Sequence, residues 1–147
     1  MIKYFLLPVL AVLLAACETT NVAAPAPRAA AAKPGAVTVE VAYLNHPPLR
    51  PILAEVDKLV ANYGDRVSVT RYDFDTPEGA AFAKAKGLTG HTPLAIFVNG
   101  SMQFTLNGRT VKFYSFPQGQ GTGMVPEGGW TMEDLQQVLD KATGKSS

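Results

Sequence analysis

The chain's single cysteine, Cys17, stands directly behind the apolar run Phe5–Ala16, and this placement limits the fold more than any other feature. One thiol closes no disulfide within the chain. Exported domains often rely on disulfides; whatever folds here relies on its core. The apolar run is too short to cross a bilayer, which takes about 20 residues, and Pro8 interrupts it. Lys3 precedes the run and the small residues Ala15 and Ala16 close it. A basic start, a short apolar stretch and a small-residue junction are the layout of a cleaved export signal.

The junction Leu14-Ala15-Ala16-Cys17 resembles the lipobox of bacterial lipoproteins. The resemblance implies that residues 1–16 are a signal peptide and that Cys17 carries acyl chains such as palmitate. The protein would then be held to a membrane of the cell envelope by its lipid. Several acyl chains together anchor stably where one does not. Glu18 follows the cysteine in place of the aspartate that retains some lipoproteins at the inner membrane. That favours the periplasmic side of the outer membrane. Removing residues 1–16 takes away Lys3 and no acid, so the basic residues then equal the 12 acidic ones. A neutral chain has no basic footprint, which argues against a nucleic acid partner.

Residues 17–36 combine the candidate lipidation site with an Ala/Pro-rich stretch too poor in large apolar residues to fold alone. Pro25, Pro27 and Pro34 favour an extended tether. Residues 37–147 form one domain. Val37–Val41 alternates with period 2, as a strand does. Ile52, Leu53, Val56, Leu59, Val60 and Tyr63 share one helix face, with Gly64 as the stop. Val67–Phe74 predicts a second strand. Thr76-Pro77-Glu78 predicts a helix start, with a capping hydroxyl, proline at the first position and an acid near the positive end; Gly87 ends that helix. Leu94–Val98 reads as a buried strand. Asn99-Gly100 and Asn107-Gly108 are hairpin turns, which predicts a three-strand meander of Leu94–Val98, Met102–Leu106 and Arg109–Tyr114. Thr131 and Asp134 predict a capping box for a last helix, with Trp130 stapled against Leu135.

The order strand, helix, strand, helix, strand, strand, helix resembles the thioredoxin family across residues 37–144. Three stretches carry the resemblance: Pro51-Ile52-Leu53-Ala54-Glu55-Val56, Gly87-Leu88-Thr89-Gly90-His91-Thr92-Pro93, and Leu94-Ala95-Ile96-Phe97-Val98-Asn99-Gly100. It implies an α/β class fold: a three-layer α/β/α domain with a mixed sheet and a cis peptide bond before Pro93. The extra C-terminal meander strand and the Gly-rich loop after it depart from the basic fold. The family's Cys-x-x-Cys is missing. Counting back from Pro51 puts Tyr43 and His46 in the cysteine slots; a shift of two puts Asn45 and Pro48 there. Disulfide exchange needs an attacking thiolate, and neither register supplies one. Thiol–disulfide oxidoreductase activity is therefore excluded for the domain.

In that family the segment before the proline packs beside the first helix. Tyr43, Asn45, His46, Thr92 and Pro93 are accordingly the candidate cleft, for a peptide or protein partner added as a strand. The bland alternative is that these residues only cap the helix and fill a vestigial site. A sharper alternative is an envelope metal-handling site of His46 and His91, although structural zinc takes four ligands and catalytic zinc three. No cofactor is implied. Asp73 and Asp75 read as loop carboxylates rather than an acid pair. Gln118–Gly123 lacks the context of a phosphate loop. Ser68, Ser101 and Ser115 have no hydrolase motif around them.

Overall fold

A computed structural model of the chain describes residues 34–88, 92–121 and 128–145. Residues 1–16 (the expected signal peptide), Cys17, nearly all of the expected tether and His91 lie outside the described residues. Among the described residues no helix is long and apolar enough to cross a membrane.

The domain opens with β1 (Val37–Tyr43), whose alternation puts Val37, Val39 and Val41 in the core. A 3₁₀ turn at Pro47–Leu49 leads into α1 (Arg50–Ala61), so the helix starts one residue before Pro51. Its apolar face buries Ile52, Val56 and Val60. The helix ends at Ala61, ahead of Gly64, because Tyr63 turns inward and is buried; Gly64 then takes φ +51°. β2 (Val67–Asp73) returns parallel to β1 in register from Val37↔Val67 to Tyr43↔Asp73. α2 (Pro77–Ala85) has the expected cap, with Thr76 Oγ1 accepting from Gly79 N at 3.1 Å. β3 (Leu94–Val98) is wholly buried and antiparallel to β1. The sheet is therefore mixed, in the order β2-β1-β3.

Residue parity separates the two faces. Odd positions of β1 face α1 and the last helix, α3 (Met132–Thr143). Even positions face α2, where Glu40 pairs with Lys86 at 2.8 Å and Lys86 lies 4.6 Å above the Phe97 ring. Phe82 stacks on Tyr72 at 3.8 Å and meets Phe97 edge-on. Helices thus cover both faces of the sheet.

The meander differs from its expected order. Asn99 and Asn107 both take positive φ, 48° and 50°, ahead of glycines at 79° and 77°, the backbone of type I′ turns. β4 (Gln103–Leu106) and β5 (Arg109–Lys112) pair with each other as a ribbon apart from the main sheet. The neighbour of β3 is the chain just after β5: Ile96 N donates to Phe113 O and Ser115 N to Leu94 O. Phe113 also donates to Met102 O, so it lies between β3 and the start of the β4 arm. Burial explains the exchange. Val111, Phe113 and Phe116 are core residues, whereas Gln103–Leu106 alternates between exposed and half-buried. The more apolar segment takes the place beside the buried strand.

Trp130 is fully buried, and its Nε1 donates to Tyr114 O and Ser115 O at 3.2 and 3.3 Å. The capping box of α3 forms in both directions: Asp134 N to Thr131 Oγ1 at 3.2 Å, and Thr131 N to Asp134 Oδ2 at 2.9 Å.

Candidate functional site

The carboxyl ends of β1 and β2 and the start of β3 meet at one end of the sheet. Tyr43 ends β1, half-buried between Asp73 and Leu94. The β1–β3 ladder runs one step further, with Leu44 N donating to Pro93 O at 3.0 Å. The two segments that the sequence paired, 43–46 and 92–93, are therefore hydrogen-bonded neighbours. His46 N then bonds Leu44 O at 2.8 Å, and Leu49 N bonds His46 O at 3.0 Å, which turns the chain into α1.

The five candidate cleft residues do not share one surface. Asn45 and His46 are exposed, and His46 precedes the 3₁₀ turn without a side-chain cap bond. Thr92 and Pro93 are buried, and Thr92 Oγ1 lies 3.1 Å from the Tyr114 hydroxyl. All peptide bonds of the described residues are trans, Thr92–Pro93 included, which corrects the expected cis bond. Trans is the lower-energy form of an X–Pro bond by about 0.5–1 kcal/mol. In this form the Pro93 carbonyl serves the ladder to Leu44. The resemblance does not extend to that feature.

A cavity of about 440 Å³ opens beside this junction, on the α2 side. Leu44 comes from just past β1, Phe74 from just past β2 and Thr92 from the approach to β3; Ala80 and Ala83 of α2, with Leu88 beyond it, supply the facing wall. Of the expected cleft only Thr92 lines it. The position follows from topology. After β1 the chain crosses to the α1 face; after β2 it crosses to the α2 face. Open α/β sheets bind ligands in the crevice that such a divergence leaves at the strands' carboxyl ends. The volume falls in the range of about 300–1,000 Å³ usual for binding pockets.

Sequence reasoning missed most of these residues. The signal was present as Ala80, Ala83 and Lys84, the i, i+3, i+4 spacing of one helix stripe, with Gly87 and Leu88 just beyond the helix end. Small side chains on that stripe leave the crevice open instead of filling it. Among the described residues, Lys84 is the only charged one that lines it.

Asp73 and Asp75 shape the turn ahead of α2. Asp73 Oδ1 accepts from Asp75 N at 3.0 Å, and the Asp73 carbonyl accepts from Thr76 N and Thr76 Oγ1. Among the described residues no group of three or more His, Cys, Asp or Glu side chains could hold a metal ion. His91, the other half of the metal reading, lies outside the described residues. No protein-family model matches the chain, and no curated protein matches it.

Proposed function

We propose that this chain is a lipid-anchored, redox-inactive binding protein of the bacterial cell envelope, with a thioredoxin-like domain that holds an apolar segment of a peptide or protein partner. The strand order β2-β1-β3, the parallel β1–β2 pair joined through α1, and helices on both faces support the thioredoxin-like reading. The absence of any cysteine after Cys17 supports a role without thiol chemistry. The observation that carries binding is the apolar crevice at the carboxyl ends of β1 and β2. Its walls suit apolar side chains, and burying one contributes about 1.5–3 kcal/mol. Strand addition at Pro93 is the less favoured mode, since its carbonyl already pairs with Leu44.

A photo-crosslinking amino acid at Ala80, in cells making the full chain, tests the crevice. Ala80 should give a discrete adduct that disappears when Ala83→Trp fills the cavity. The same probe at Gln137, on the exposed side of α3, should give none. Identical adducts from both positions, or an Ala80 adduct indifferent to Ala83→Trp, would move the binding surface away from this crevice.

A further inference from the structure

We propose that the outer edge of β2 pairs with the β2 of a second copy of this chain, antiparallel and about a twofold axis through Val69. β2 is the terminal strand of the main sheet, and no strand of the described residues pairs with its outer side. Phe74 N donates to Tyr43 O, which fixes the parity of the parallel ladder: the even residues of β2 turn their backbone groups toward β1. Those of Val67, Val69, Arg71 and Asp73 then point outward. The Asp73 carbonyl is taken by the turn to Thr76, and the Val67 N–H donates to Gly64 O. Among the described residues this leaves the Val67 carbonyl and both backbone groups of Val69 and Arg71 for an outside strand.

Natural edges are usually blunted by proline, by a bulge or by a projecting charge. Val67–Asp73 contains no proline, and its register with β1 runs unbroken over seven residue pairs. The one cation on the strand, Arg71, lies on the α1 side and is ion-paired with Asp57 of its own chain. All seven residues are half-buried, as expected of a strand packed on both faces and open along one side.

The strand's own sequence selects the occupant. An antiparallel twofold centred on Arg71 would set two guanidinium groups directly opposite, which is destabilising. Centred on Thr70, it leaves the two Arg71 side chains as diagonal neighbours. Centred on Val69, it pairs Val69 with its copy, Val67 with Arg71, and Ser68 with Thr70. That register sets the β-branched Val69 against its copy, separates the arginines, and makes about four ladder hydrogen bonds, from the N–H groups of Val69 and Arg71 to the carbonyls of Val69 and Val67. A strand that pairs with itself closes as a C2 dimer, the commonest oligomer symmetry. The result is a continuous sheet across two copies, with its centre at β2 and away from the crevice.

The full chain carrying Cys17→Ser, which has no acyl group and no other cysteine, gives a clean test. Sedimentation should show a concentration-dependent dimer, and Val69→Pro should make it monomeric. The Val69 N–H is not used in the β1 ladder, so proline there spares the β1–β2 pair, and the circular dichroism should be unchanged. In the same background Val69→Cys should cross-link on mild oxidation, because Cα atoms of a hydrogen-bonded pair lie about 5.5 Å apart, within disulfide range. Val67→Cys should cross-link at least tenfold more slowly, since the two copies of Val67 would be about 13 Å apart. A chain that stays monomeric at millimolar concentration overturns the proposal. So does a dimer that Val69→Pro leaves intact, or equal cross-linking at the two positions. If Val69→Pro unfolds the chain, the cysteine pair decides alone.

Discussion

The Tyr63 hydroxyl donates to Asp140 Oδ1 at 2.9 Å inside the core, and so ties the chain just beyond α1 to the last turns of α3. Burial, and then the hydrogen bond and negative charge of Asp140, push the Tyr63 phenol from 10.0 up to about 12. A raised folded-state value means that the neutral phenol is favoured by folding. Its contribution is fully present below pH 10 and is lost as pH rises from 10 through about 12. In an ultraviolet titration of the tyrosines, Tyr63 should ionise late. Tyr63→Phe should remove part of the alkaline loss of stability and cost about 1.5–3 kcal/mol at neutral pH, the usual worth of a hydrogen bond to a charged group. Urea melts at pH 7 and pH 11 would check both expectations.

Gly79→Ala should destabilise, against the usual gain of about 1 kcal/mol for this change inside a helix. A Cβ at Gly79 would lie 1.8 Å from the Asp73 carbonyl oxygen, with backbone on both sides of the clash. α2 would have to lift from the turn that ends β2. Overpacking of this kind costs about 1–3 kcal/mol. Thermal melts of the two chains would show the sign directly, and a stabilised variant would contradict the close approach.

Asp134→Ala should cost more than Thr131→Ala. Either change breaks the capping box, worth about 0.5–2 kcal/mol. Asp134 also accepts from Arg109 Nη2 at 2.7 Å, and Arg109 reaches Gly129 O at 2.9 Å. Losing the carboxylate therefore also removes one of the ties between the β4–β5 ribbon and the start of α3. Amide exchange in β5 should rise in Asp134→Ala and stay unchanged in Thr131→Ala. Equal rises in both would mean that the arginine contact adds nothing.

Cys17→Ser should abolish membrane retention and remove the acyl mass from the N-terminal peptide. The motive is the Leu14-Ala15-Ala16-Cys17 junction. Fractionation with intact-mass spectrometry reads both. Wild-type protein lacking acyl mass would sink the lipoprotein reading.

Locally encoded features were legible in the sequence. The Thr76 cap, the Thr131/Asp134 box and the two Asn-Gly turns each depend on residues within a few positions of one another, and each formed as read. Strand order after β3 depends on which distant segment wins the buried position, and the turn signals are silent on that. Phe113 won over Phe104 because it reaches the core beside Trp130. The site was half legible. The meeting of residues 43–46 with 92–93 followed from the fold resemblance, and the Leu44–Pro93 bond realises it. The crevice went unread because alanines make it. A small residue on a helix announces good propensity, and the space that it leaves shows only once Leu44 and Phe74 are brought opposite.

β1 runs from the tether side of the domain at Val37 to the crevice side at Leu44, and it is the central strand, bonded to β2 on one flank and to β3 on the other. If Cys17 carries the anchor and the crevice a partner, as proposed, tension between membrane and partner would enter the domain at the Val37 end of this strand and leave it near Leu44. The ladder bonds on both flanks run across the line of pull, so they are loaded together, in shear, and none can be peeled ahead of the rest. Resistance to forced unfolding is set by the unfolding rate, and loading in shear would keep that rate low. In the proposed arrangement, the strand joining tether to crevice would also be the one that a pulling partner could least easily extract.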